Sequence, residues 1–267
     1  MTADFRDHTL LGRTGLKVSR LGLASGYGVP AEAVERAYGE HHINYFYWSR
    51  RRGAGMARAL RRLARSERDG IVVALQSYDH LGWFMSRGVE KGLKALGIDH
   101  ADILILGWYN RFPGRRVLDA ARSLQERGLV RFLAMSGHNR RLFGEVAGRT
   151  ESPIDVFMVR YSAAHRGAEE EIFPHLPGSG APGVTTYTAT RWGKLLDRGK
   201  MPPGERPLTA AECYRFVLSQ PRVDLCMMGP RSLREFEEGA AALGGGPLTA
   251  EERERFLRIG DFVRGRK

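Results

Sequence analysis

Several short segments of this 267-residue chain carry side chains able to move a proton or hold an anion. "SGHNR" places the imidazole of His138 just beyond Ser136, and an imidazole donates or accepts a proton near neutral pH. "GWYNR" supplies Trp108 and the Tyr109 phenol, and "INYFYWSRRRG" supplies Tyr47, Trp48 and Arg52. Arg160, Tyr161 and His165 follow in "VRYSAAHRG", and Arg191 in "TATRW". A guanidinium is a permanent cation whose planar fork of donors suits carboxylate or phosphate. The set reads as a pocket for an anionic or aromatic small molecule. His138, Tyr109 and Tyr47 are its candidate acid–base groups, and Trp48, Arg52, Trp108, Arg160, Tyr161 and Arg191 its candidate substrate contacts. Plainer roles stand beside these. The indoles could cap a core, Arg160 could pair with Asp155 or Glu169, His138 could tie down a loop, and His165 could cap the next helix. The two histidines lack obvious carboxylate companions, Asp79 being the acid nearest a strand end, so no metal site is expected.

Strand-like runs must position these groups. They recur at Leu21–Ser25, Ile43–Trp48, Ile71–Gln76, Ile103–Trp108, Arg131–Ser136, Val156–Tyr161, Val184–Thr188 and Val223–Met228. Most are continuously apolar, as expected of parallel strands covered on both faces. Helical spacing appears between them in "PAEAVERAYGE", "GMARALRRLARS", "SRGVEKGLKALG", "RRVLDAARSLQERG", "LTAAECYRFVLSQ" and "SLREFEEGAAALG". "TLLGRTGLKVSRLG" reads as a hairpin ahead of the first strand. "LTAEERERFLRIGDFVRG" reads as an extra terminal helix with Thr249 as cap and Glu252 three residues on. Eight strands alternating with helices, with no break in composition, predict one (β/α)₈ TIM barrel of class α/β spanning 1–267. Each candidate residue then lies near the carboxyl end of a strand, where such barrels do their chemistry.

Composition narrows the partners. The net charge of +12 suits an acidic ligand, but arginines are spread along the chain with no basic tail, zinc pattern or helix-turn-helix cue. Nucleic acid is therefore not the expected partner. No apolar run approaches a membrane span, and the amino end lacks the apolar stretch of a secretory signal. Cys213 and Cys226, both in apolar contexts, read as buried free thiols, and a cytoplasmic location without membrane contact is expected.

In this order the segments resemble the aldo-keto reductase superfamily over nearly the whole chain. "LGRTGLKVSRLGL" is similar to its opening hairpin and first strand, and "VEKGLKALGIDHADILIL" to its helix and fourth strand. "LQERGLVRFLAMSGHN" is similar to its fifth strand, and "CMMGPRSLREFEEGAAAL" to its last strand and cofactor-phosphate turn. The resemblance implies an oxidoreductase that uses NADP(H), with Ser25, Ser136, Gly229, Arg231, Ser232 and Glu238 as cofactor contacts. It also exposes departures. The family's catalytic Asp, Tyr, Lys and His fall on Tyr47, Arg52, Gln76 and Gly107. Its nicotinamide-binding amide falls on Met158, and its stacking aromatic on Thr188. The ordinary mechanism is therefore not expected. A relocated acid such as His138 or Tyr109 is one outcome; a catalytically silent nucleotide-binding protein, or a lyase or isomerase on the same barrel, is another.

Overall fold

Residues 4–149 and 151–265 are described in the computed structural model. The apolar runs become strands β3 (Leu21–Ala24), β4 (Tyr45–Trp48), β5 (Val72–Ser77), β6 (Ala101–Leu106), β7 (Val130–Ser136), β8 (Val156–Arg160), β9 (Gly183–Tyr187) and β10 (Leu225–Met228). They pair in parallel in chain order, and β10 closes the cylinder by pairing with both β9 and β3. Side chains of a strand alternate between faces, which separates two apolar layers. Tyr45, Tyr47, Ile103, Ile105, Met158 and Met227 belong to the barrel interior. Phe46, Trp48, Leu104, Leu106, Phe157 and Val159 pack outward beneath the helices.

Ahead of the barrel, β1 (Thr9–Leu10) and β2 (Lys17–Val18) form the expected antiparallel hairpin. Leu11, Leu16 and Val18 are buried and join the interior layer, so the hairpin plugs the amino-terminal end of the cylinder. Its Gly12 is required twice over. It has a φ of 47°, and a Cβ there would come within 2.1 Å of the Gly183 nitrogen.

The helices are α1 (Ala31–Gly39), α2 (Ala54–Glu67), α3 (Gly82–Leu96), α4 (Arg115–Glu126), α5 (Arg140–Ala147), α6 (Ala168–Glu171), α7 (Ala210–Leu218), α8 (Leu233–Ala240) and α9 (Ala250–Arg264). Helix α3 begins four residues ahead of its apolar pattern, because Trp83 and Phe84 in its first turn are exposed rather than packed. Helix α6 is too short to show a pattern of its own, whereas α5, as long as α8, buries Leu142, Phe143, Val146 and Ala147 and is an element the sequence reading lacks. Thr249 and Glu252 form the capping box expected at α9. That helix lies on the loop after β8: a Cβ on Gly260 would meet the Ala163 carbonyl at 2.2 Å, and Arg166 pairs with Asp261 at 2.8 Å. Cys213 and Cys226 are buried and free. Among the described residues no helix is long and apolar enough to cross a membrane.

Candidate functional site at the barrel mouth

At the carboxyl end of the barrel the inward-facing positions are Tyr47, Gln76, Gly107, Ser136, Arg160 and Tyr187. The first three sit where the resemblance looks for an acid, a lysine and a histidine, and they are built into one another. The Tyr47 hydroxyl donates to Gln76 Oε1. Gln76 Nε2 in turn donates to Ser136 Oγ at 3.2 Å, and the Trp108 N–H reaches the same oxygen at 3.4 Å. Gly107 is closely packed: a Cβ would stand 2.6 Å from Gln76 Nε2 and 2.7 Å from the Tyr78 ring, so a larger side chain requires those two to move. Burial, and then the neighbouring Tyr78, push the Tyr47 phenol well above its ordinary pKa. Tyr47 is thus a held, neutral hydroxyl and a poor proton donor.

The opposite side of the mouth is cationic. Arg160 and Tyr187 are register partners across β8 and β9. Burial raises the phenol's pKa while the adjacent guanidinium pulls it back down. Arg160 also lies over the Trp192 ring, 4.9 Å from its centroid, and His165 meets that ring edge-on at 6.3 Å. Burial, then Arg160 and Arg191, hold the His165 imidazole down to about 4. Thr188, Arg191 and Trp192 have φ of 64°, 51° and 54°. Such left-handed backbone costs a non-glycine residue about 1–2 kcal/mol, and it concentrates at functional sites. The wider surface agrees: the loops following barrel strands hold eleven arginines and lysines against three acids, Asp79, Asp197 and Glu205.

The structure does not gather every candidate here. Trp48, Tyr109 and Tyr161 face the outer, helix-covered layer, which removes them from the inside of the mouth. The Trp48 indole donates to the Gly53 carbonyl at 3.0 Å. Tyr109 stacks on His80 at 4.5 Å, and Tyr161 binds Glu169 and stacks on Phe216. Arg52 is exposed in a left-handed turn, with φ of 60°. Trp108, 64% exposed, leans on Tyr78 above the mouth. His138 is exposed on the rim, its backbone N–H held by Asn110 Oδ1 at 2.8 Å. Partial burial, then Arg160, lower the pKa of its imidazole.

On the cofactor side, Ser25 Oγ accepts from the Ser49 N–H at 2.9 Å. Gly229 gives way to the Tyr27 ring, 2.7 Å from where its Cβ would be. Ser232 caps α8 by accepting from Glu235 N–H. Arg231 pairs with Glu235 at 3.4 Å and Glu238 with Arg234 at 2.9 Å, all largely exposed. An exposed pair one helical turn apart is worth a few tenths of a kcal/mol, so a phosphate can displace Glu235 from Arg231. The residues of this turn fit a phosphate group. The sequence gives no ligand role to Gln76, Tyr78 or Trp192, though they lie at strand ends, and Tyr187 is not among its candidates. Tyr187, one residue before Thr188, is the inward-facing aromatic at the end of β9.

A closed parallel barrel plugged by a hairpin is the fold of the aldo-keto reductases, to which the chain is structurally similar. An aldo-keto reductase from Bacillus halodurans in its holo form superposes with a TM-score of 0.76 at 21% identity, covering 95% of this chain and 96% of that one. An aldo/keto reductase from Klebsiella pneumoniae, solved in complex with NADP and acetate, gives 0.74 at 21% identity over 95% of each chain. No protein-family profile matches the sequence, and no curated protein does.

Proposed function

We propose that the protein is an aldo-keto-reductase-like oxidoreductase that binds NADP(H) and acts on an anionic or aromatic small molecule through a non-standard site. The observation that carries this reading is the cationic, aromatic mouth around Arg160, Tyr187, Arg191 and Trp192, built on the fold of enzymes one of which was solved with NADP. Arg231 would hold the cofactor's 2′-phosphate in place of Glu235, with Ser232 and Gly229 in the same turn. Tyr187 offers the flat aromatic face that Thr188 lacks. When bound, the nicotinamide supplies or accepts a hydride. His138 is held neutral near pH 7, so it suits taking a proton from a substrate hydroxyl better than giving one to a carbonyl. A fluorescence titration with NADPH and NADH tests the reading. NADPH should bind more tightly, and Arg231→Ala should remove most of the preference, since a charge-assisted phosphate contact is worth about 1.5–3 kcal/mol. No binding of either dinucleotide overturns it.

A silent nucleotide-binding protein is the second reading, and one observation favours it. Tyr47, Gln76 and Gly107 fill three catalytic positions with neutral groups that satisfy or pack against one another. NADPH binding without turnover of any hydroxy or carbonyl compound would select it.

A further inference from the structure

The β8–β9 corner of the mouth holds more unsatisfied positive charge than a structural role explains. Arg160 Nε and Arg191 Nη1 are buried, and neither nitrogen has a hydrogen-bond acceptor among the described residues, although the Arg160 guanidinium also donates to the Tyr187 hydroxyl. A charged donor withdrawn from water without an acceptor is costly. Nor does a carboxylate come within ion-pair distance of either guanidinium among the described residues; Asp197, the acid nearest Arg191 along the chain, accepts from the Gly199 N–H, and those nearest Arg160 are engaged. Asp155 pairs with Arg13 at 3.3 Å, Glu169 holds the Tyr161 hydroxyl, and Glu171 pairs with Arg140. The fields of Arg160, Arg191, Arg264 and Arg140 all fall on His165. Three left-handed residues, Thr188, Arg191 and Trp192, shape the turn that carries Arg191 and Trp192. Like charges so assembled call for an opposite charge between them.

We propose that this corner binds the oxyanion, a carboxylate or a phosphate, of a planar organic molecule, clamped by Arg160 and Arg191 with the Trp192 indole as a wall for the attached ring. Two guanidinium forks match a group that spreads negative charge over two or more oxygens. A planar carrier follows from Trp192, which is 52% exposed with Arg160 over its ring. The proposal rests on the reading of the mouth as a substrate site and names the substrate's class. It differs from the cofactor-phosphate turn, which lies after β10 and uses Arg231.

Calorimetry on the full-length protein in low salt tests it, with benzoate, inorganic phosphate, acetate and neutral benzamide as probes. Benzoate should bind more tightly than acetate, benzamide should not bind, and the ratio of benzoate to phosphate affinity tells a carboxylate site from a phosphate site. Arg160→Met and Arg191→Met should each weaken benzoate by about tenfold or more, the usual scale for a charge-assisted contact. Trp192→Leu should weaken benzoate and leave phosphate unchanged. Melting temperature separates binding from folding. Without an anion the arginine variants should melt no lower than the parent, because a repelling charge has gone, and benzoate should raise only the parent's midpoint. If Arg160→Met does not fold, Arg191→Met and the milder Arg191→Lys, both in the loop after β9, carry the test. Undiminished binding by the arginine variants, equal affinity for benzamide, or no heat with any anion overturns the proposal. Competition between benzoate and NADP⁺ also overturns it, by giving the corner to the cofactor's diphosphate. A protein that binds benzoate and no dinucleotide keeps this site and loses the reductase reading; dinucleotide binding without benzoate does the reverse.

Discussion

Removing the amide of Gln76 should cost more stability than removing the hydroxyl to which it is bonded. Tyr47 is 7% exposed, and its hydroxyl donates to Gln76 Oε1. In Gln76→Leu that hydroxyl stays buried, with the Tyr78 phenol as a remaining hydrogen-bond partner. A lost neutral hydrogen bond is worth about 1 kcal/mol, and a stranded buried hydroxyl costs about 1–3 kcal/mol. With partial relief from Tyr78, the expected loss is about 2 kcal/mol. Tyr47→Phe instead removes the buried group itself. The half-buried amide can turn to water and keeps its bond to Ser136, so about 1 kcal/mol is expected. The double variant should cost about 2 kcal/mol, which leaves a coupling near 1 kcal/mol, inside the range for residues in one hydrogen-bonded network. At about 2–4 °C per kcal/mol for a chain of this size, Gln76→Leu should melt about 4–8 °C lower. Guanidinium unfolding of the four proteins gives the cycle directly. Additive losses, or a Tyr47→Phe loss exceeding that of Gln76→Leu, would refute the account of these residues as a built, neutral replacement for the catalytic pair.

Four further outcomes follow from the same geometry. Glu235→Ala should free Arg231 and tighten NADPH about two- to fivefold, the scale of an exposed ion pair, with NADH unaffected. Simple aromatic aldehydes should be reduced slowly or not at all in a spectrophotometric NADPH assay, since Arg52 and Gln76 stand where the resemblance looks for a phenol and its activating ammonium; brisk turnover would show an acid elsewhere. His138→Ala should abolish turnover of any substrate found while leaving the melting temperature unchanged, because Asn110 holds only the backbone of His138. His165 sits at about 4 in the folded protein, against an ordinary 6.5. Between those values the unfolded chain takes up a proton that the folded one refuses, so stability should fall as pH drops from about 6.5 to 4. His165→Gln should flatten that stretch of the stability–pH curve, and an unchanged slope would place the effect in another group.

The barrel was legible because each strand is a continuous apolar run between a helix and a turn. Facing was not, and for the same reason. A parallel strand covered on both sides shows no alternation of polar and apolar residues, so nothing in "YFYW" says that Tyr47 points inward and Trp48 outward. The same ambiguity let Tyr161 stand beside Arg160 as an equal candidate, and it passed over Tyr187 for Thr188, a displacement of one residue that moves a side chain to the other face. Trp192 itself is visible in the segment after that strand, but its contact with Arg160 is not, because the left-handed turn after β9 is what brings the two together. The cationic character of the mouth, by contrast, could be read from the loop residues alone.

The packing of Gly107 bears on whether the four residues expected from the resemblance could be built into this site. A histidine there would require Gln76 and Tyr78 to move. A lysine at Gln76 sets an ammonium beside the buried Tyr47 hydroxyl with no carboxylate to answer it. An aspartate at Tyr47 would face an amide and no cation, and a tyrosine at Arg52 would inherit a backbone φ of 60° that suits it poorly. Each of these four side chains, introduced alone, lacks the partner that the other three would bring. The four positions are therefore coupled, whereas the arginines on the Arg160 side of the mouth lie on separate elements and can change one at a time.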